Sequence, residues 1–204
     1  MNLNGAITGL VVCGGKSERM GSDKSLLAYH GLPQRQFVYD FLGEICTDVH
    51  ISCNREQLAG MKPGYSFICD DKRYEAIGPM AALLTAIDKF PDNSFLLIGC
   101  DYPLFCKDDA KKLLGATGNM AAAYYHAETK LYEPLLAIYH PPVFKMVKRE
   151  FDRGRFSLQK ILQAAGAQKI LADDSSVITS VDDVDARRKI IENFSLHSGQ
   201  NSFT

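Results

Sequence analysis

The chain has 204 residues, 23 Lys+Arg against 24 Asp+Glu, 46% hydrophobic residues, six cysteines and no tryptophan. At this length one core is favoured over two, and a net charge of -1 excludes the broad cationic surface of non-specific nucleic-acid binders, leaving room for small, local phosphate sites. No run approaches the roughly 18 apolar residues of a membrane span, and Met1-Asn2-Leu3-Asn4-Gly5 lacks the basic and apolar regions of a signal peptide, so a cytoplasmic protein with no nucleic-acid and no membrane partner is expected.

Short apolar runs at 6–12, 49–52, 66–69, 95–99, 120–125 and 134–139 are too short for helices and read as strands. Amphipathic stretches lie between them. Pro33 opens a helix to about residue 46, since its missing N–H costs nothing in the first turn. Gly78-Pro79 precedes a helix over 80–90, with Leu83, Leu84 and Ile87 on one face. This alternation implies an α/β fold: a mostly parallel central sheet with right-handed crossovers and helices on both faces. Such sheets bind ligands outside the carboxyl ends of their strands, which directs attention to 13–24, Cys53-Asn54-Arg55, Asp70-Asp71 and Asp101. Cys13, Cys46, Cys53, Cys69, Cys100 and Cys106 occur singly; without C-x-x-C spacing they read as small buried hydrophobes in a reducing compartment.

The strongest chemical signal is the run from Gly14 to Lys24, G-G-K-S-E-R-M-G-S-D-K. Paired glycines let backbone N–H groups approach phosphate oxygens, and Arg19 and Lys24 neutralise the remaining charge. The spacing matches neither a P-loop nor a dinucleotide fingerprint, which points to a different mononucleotide loop; a solvated turn would not need eleven such residues. Cys100-Asp101-Tyr102-Pro103 follows an apolar run, and Asp101 there suits Mg²⁺ bridging nucleotide phosphates, with a helix-capping or Asx-turn aspartate as the alternative. In Asp70-Asp71 one carboxylate orders Lys24 or accepts from a base or ribose, unless the segment is simply a charged loop. Lys145 and Lys148 read as a solvated helix face, whereas Arg153-Gly154-Arg155, between two helical patterns, suits a second phosphorylated substrate. His30, His50, His126, His140 and His197 are isolated, so neither zinc nor covalent catalysis is indicated.

The 14–24 run resembles the L-A-G-G-x-S-x-R-M-G-x-D-K signature of the molybdenum cofactor guanylyltransferases and their nucleotidyltransferase relatives. Asp71, Gly78-Pro79, Cys100-Asp101-Tyr102-Pro103 and Glu133-Pro134-Leu135 match further family motifs in order, so the resemblance spans about residues 5–193. It implies a Rossmann-like nucleotidyltransferase fold in a single domain, 1–194, followed by a flexible tail, 195–204. The implied reaction is Mg²⁺-dependent transfer of GMP from GTP to molybdopterin-bound molybdenum cofactor, with pyrophosphate released. By matching position, Val12, Cys13, Gly14 and Gly15 would contact the nucleotide through the backbone. Lys24 would hold phosphate, Ser52 would stand where relatives place a nucleotide-contacting Asn, Asp71 would bind nucleotide and Asp101 would ligate Mg²⁺; Arg19, Lys24 and Asp101 would form the catalytic set. The partners implied are GTP and the molybdopterin form of the cofactor, with contact to a molybdoenzyme or its chaperone, in a monomer or weak homo-oligomer.

Two departures bear on this reading. Cys13 replaces the usual Ala, a small-for-small change. Ser180-Val181-Asp182-Asp183-Val184-Asp185 replaces N-x-N-T-P-E-D, so Asp182 either adds a second metal ligand or, without metal, repels an anionic pterin phosphate. Alternatives within the fold are CTP as donor to molybdopterin and a sugar or polyol phosphate as acceptor. Outside catalysis the alternative is a nucleotide-binding partner of a molybdoenzyme.

Overall fold

The computed structural model describes residues 6–13, 24–58 and 63–181, apart from the side chains of Lys24 and Glu56. The strands are β1 (Ile7–Val12), β2 (Asp48–Cys53), β3 (Phe67–Cys69), β4 (Ser94–Gly99), β5 (Ala121–His126), β6 (Leu131–Tyr139) and β7 (Gln168–Ile170). They form one sheet in the order β3-β2-β1-β4-β6-β5-β7. β1 is rich in β-branched residues and buried on both faces, as central parallel strands are. It pairs in parallel with β2 and with β4, and β2 pairs in parallel with β3.

The helices are α1 (Gln34–Gly43), α2 (Arg55–Leu58), α3 (Met80–Lys89), α4 (Lys107–Leu114), α5 (Pro141–Asp152) and α6 (Leu158–Ala164). On one face of the sheet α1 buries Val38, Phe41 and Leu42 against Val11, Val49 and Ile51. Gly9 makes this approach close: a Cβ there would stand 3.2 Å from Leu42 Cδ1 and 3.3 Å from Cys46 Sγ. On the other face α3 meets Leu10, Val12 and Leu97, backed by Val143, Phe144 and Val147 of α5. Its burial extends from Met80 through Ile87, wider than the single face expected of Leu83, Leu84 and Ile87, because α5 covers the side turned from the sheet.

The run at 134–139 is part of the longer β6, which lies antiparallel to both β4 and β5. Residues 127–130 are too few for a crossover, which takes about a dozen, so β5 and β6 close as a hairpin through Lys130 at φ 59°. Pro134, which cannot donate to a ladder, falls where β6 has no recorded partner on either neighbour. Of the cysteines, Cys13, Cys53 and Cys100 are buried as expected, Cys46 and Cys69 are half-buried, and Cys106 is exposed. Cys106 precedes α4, where its N–H donates to Asp109 Oδ2 at 3.2 Å.

Leu97 lies at the middle of β4, opposite Leu10 and Ala137, with no exposed surface. Leu97→Ala is expected to cost about 2–5 kcal/mol of folding free energy, read from urea unfolding with an unchanged m-value.

Candidate functional site

β1 to β4 run parallel, so their carboxyl ends open on one edge of the sheet. The ladder continues one residue past β1 and β4: Cys13 N–H donates to Ser52 O at 3.3 Å and Cys100 N–H to Val12 O at 3.2 Å. Cys13 and Cys100 consequently stand side by side, Sγ to Sγ 3.7 Å. Gln57 of α2 donates from Nε2 to Cys13 O at 3.3 Å. The Cys13 N–H is thus engaged within the protein, and among the described residues the Val12 and Cys13 carbonyls accept hydrogen bonds beyond the strand, from Cys100 N–H and Gln57 Nε2 respectively. Burial pushes the neighbouring Cys53 thiol up to about 12, so it stays protonated near neutrality.

The carboxylates at the end of β3 divide in direction. Asp70 turns inward and accepts from Ser52 Oγ at 2.9 Å; burial raises its carboxyl, and the Ser52 hydrogen bond partly offsets this. Asp71 turns outward. It caps the helical turn Lys72–Tyr74 by accepting from Arg73 N–H at 2.9 Å, and both its oxygens meet the Arg73 guanidinium, at 3.1 and 2.9 Å. These Arg73 hydrogen bonds hold the Asp71 carboxyl at about 2. Arg73 continues to Asp88 at 3.0 Å, which also takes Tyr74 OH at 2.6 Å and Lys148 Nζ at 2.8 Å. Asp71 is therefore the anchor of an ion-pair chain joining the β3 loop to α3 and α5.

Asp101 is half-buried just beyond β4. The residue before α4 is Cys106, so Asp101 is not a helix-capping aspartate. Its carboxylate folds back over Gly99, where a Cβ would stand 2.6 Å from Oδ1. Its carbonyl accepts from Val181 N–H at 2.8 Å. The turn around it is held from several sides: His30 Nε2 lies 2.8 Å from Pro103 O, Gln34 Nε2 reaches Tyr102 O at 3.5 Å, and Tyr102 OH donates to Glu133 Oε2 at 2.6 Å. Among the described residues no group of three or more His, Cys, Asp or Glu side chains could hold a metal unaided. A single carboxylate at this position fits Mg²⁺, which usually keeps waters and takes substrate phosphates alongside one or two carboxylates.

The structure thus brings Val12, Cys13, Ser52, Asp70 and Asp101 to one edge. Lys24 begins the helical turn Lys24–Leu26, which leads into α1. Gly14, Gly15, Arg19, Asp182 and the 195–204 tail lie outside the described residues. Arg153 and Arg155 sit instead at the end of α5, where Gly154 takes φ 69°. Arg155 Nε pairs with Glu150 Oε2 at 2.6 Å, and Arg153 and Arg149 approach the same carboxylate at 3.4 and 3.6 Å. Arg149, Glu150, Arg155 and Lys160 border a cavity of about 350 Å³ between α5 and α6.

Several residues that bear on the site carry no local sequence signal. Arg35 is 3% exposed, although Gln34-Arg35 at the start of an amphipathic helix reads as solvated. Gly99 matters only through what its missing side chain admits. The Glu133–His126 contact, Oε1 to Nε2 at 2.7 Å, joins residues that a hairpin brings together.

A Gly-rich run that follows β1 in sequence and a carboxylate that follows the adjacent parallel strand agree with a nucleotidyltransferase, the class to which the family match assigns the chain. The chain belongs to the MobA-like NTP transferase domain family, whose model matches residues 9–179. It is 33% identical over 175 residues to the molybdenum cofactor biosynthesis bifunctional protein of Synechocystis sp., covering 85% of this chain and 50% of that protein; the chain spans half the length of that relative. It is 31% identical over 165 residues to the molybdenum cofactor guanylyltransferase of Serratia proteamaculans, covering 80% of this chain and 83% of that protein. Among solved structures, the molybdopterin-guanine dinucleotide biosynthesis protein A of Archaeoglobus fulgidus has the same fold, with TM-score 0.75 and 19% identity over 93% of this chain and 99% of that one. So does a Mycobacterium tuberculosis protein solved in complex with manganese, with TM-score 0.66 and 16% identity over 92% and 98% of the respective chains.

Because Arg73 depresses the folded-state carboxyl of Asp71 from the ordinary 3.8 to about 2, the stabilisation is present above pH 4 and is lost as pH falls towards 2. Thermal unfolding of Asp71→Asn is expected below wild type at pH 6, with the gap closing between about pH 4 and pH 2; a gap independent of pH contradicts the role.

Proposed function

We propose that the protein transfers GMP from GTP to molybdopterin-bound molybdenum cofactor in a Mg²⁺-dependent reaction, forming the guanine dinucleotide and releasing pyrophosphate. The supporting observation is the seat of Asp101: its carboxylate lies over Gly99, and Gly99 pairs with Val12, two residues before the 14–24 run. Family membership and the guanylyltransferase relative support guanine and molybdopterin as the substrate classes.

In this reading the terminal phosphate oxygen of the acceptor attacks the α-phosphorus of GTP in line. That phosphate is already ionised near neutral pH, so no protein base is needed, and positioning with charge neutralisation supplies the rate. Arg19, Lys24 and the amides of Gly14 and Gly15 are proposed to neutralise the triphosphate. Val12 and Cys13 are proposed to contact the nucleotide through their backbone. Ser52 acts through Asp70, the inward carboxylate, while Asp71 shapes the loop from outside. Bound Mg²⁺, held by Asp101, would neutralise charge on the phosphates as pyrophosphate departs. Val181 docks on Asp101, which brings the start of the divergent 180–185 segment to the site and supports Asp182 as a second carboxylate for the metal. Arg153 and Arg155 share Glu150 with Arg149; this net cationic turn is proposed to take the acceptor phosphate.

Pyrophosphate release on mixing the protein with GTP, Mg²⁺ and molybdenum cofactor tests the reaction, and competition among GTP, CTP, ATP and UTP tests the donor. Asp101→Asn is expected to lose about 100-fold or more in kcat; near-wild-type turnover contradicts the assignment. Lys24→Ala is expected to weaken GTP binding by about 1.5–3 kcal/mol, and an unchanged Kd by calorimetry removes its phosphate role.

A further inference from the structure

The space over Gly99 brings the Asp101 carboxylate near a hydrogen-bonded chain that its motif does not reveal. An ideal Cβ on Gly99 would meet Asp101 Oδ1 at 2.6 Å, Leu135 Cδ1 at 3.1 Å and Tyr102 Cε2 at 3.1 Å. The carboxylate, the Tyr102 ring edge and the Leu135 methyl therefore converge on the one point above Gly99 that a side chain there would fill, and this shared recess is what couples the ring to the carboxylate. Leu135 belongs to β6 and is held by the sheet. Tyr102 lies in a turn, and its ring is fixed at its far end: the hydroxyl donates to Glu133 Oε2 at 2.6 Å, and Glu133 Oε1 stands 2.7 Å from His126 Nε2. His126 ends β5 and Glu133 lies in β6, so the chain His126–Glu133–Tyr102 ties the recess wall to the hairpin.

This arrangement exceeds what packing requires. Tyr102 is 5% exposed, and a phenylalanine would fill the same apolar volume without tying the ring to a carboxylate of β6. A hydrogen bond from a phenol to a charged carboxylate is short and directional, and it sets the ring where an apolar contact would leave it free to rotate. Partners that orient metal-ligating carboxylates characteristically change metal affinity by about 10–100-fold when removed.

We infer that Tyr102 and Glu133, with His126 behind them, are positioning residues that hold the Asp101 carboxylate in the orientation that receives the divalent cation. The inference rests on the metal role proposed for Asp101. Neither Tyr102 nor Glu133 contacts the reacting atoms; both act through the recess.

The test is Mn²⁺ binding in the presence of a non-hydrolysable GTP analogue, followed by electron paramagnetic resonance, with thermal unfolding measured alongside. Tyr102→Phe and Glu133→Ala are expected to weaken Mn²⁺ binding about 10-fold or more. Glu133→Gln, whose amide oxygen still accepts from Tyr102 OH, is expected to stay within about twofold of wild type on the same scale. If Glu133→Ala does not fold, Tyr102→Phe decides. Wild-type affinity in Tyr102→Phe and Glu133→Ala, with affinity lost in Asp101→Asn, overturns the positioning role and leaves the function standing. Equal losses in Glu133→Gln and Glu133→Ala overturn the hydrogen-bonded chain. Wild-type affinity in Asp101→Asn, or no binding by the wild type, overturns the metal role itself and the inference with it.

Discussion

The parallel pairing of β1 with β4 is the constraint on which the site depends. Its register, Val12 opposite Gly99, extends one residue further through the Cys100 N–H to Val12 O bond. The Gly-rich run and the aspartate thereby leave the sheet from adjacent points and in the same direction. An antiparallel pair would have sent them to opposite edges. The helix crossovers that enforce parallel pairing also bury both faces of these strands, so Val12 and Gly99, from which the two segments continue, lie in the best-buried part of the sheet.

Charge is sorted along this edge by burial and pairing. Asp70 faces inward with Ser52 as its donor and a raised carboxyl. Asp71, the next residue, faces outward and is held strongly acidic by Arg73. The second anion braces the loop that presents the first. Glu150 plays a comparable part for Arg149, Arg153 and Arg155. The net charge of -1 averages these local arrangements.

Periodicity made β1 to β5 and both faces of the sheet legible from sequence, because buried parallel strands leave unbroken apolar runs. The direction of β6 was not legible from its apolar pattern, which is the same in either sense and begins only at 134; the structure shows it by starting β6 at Leu131, with only 127–130 between it and β5. Asp101 was legible as a carboxylate after a strand. Its recess was not, since Gly99, Tyr102, Glu133 and His126 are assembled by three strands and a turn. The Asp70-Asp71 pair was legible from its place after a strand, and only family resemblance chose Asp71 within it; the geometry gives Asp71 an ion-pair role in the loop that spacing could not reveal. Arg35 defeats sequence reasoning altogether, because a charged residue in the first turn of an amphipathic helix ordinarily faces water.

The central claim is that the edge formed by β1 and β4 is where nucleotide phosphates and a divalent cation meet. A co-crystal structure with GTP and Mg²⁺ tests it most directly. The account predicts triphosphate oxygens beside the residues that follow Val12 and a cation bound to the Asp101 carboxylate. A triphosphate seated in the cavity between α5 and α6, or a cation without Asp101 among its ligands, would contradict it.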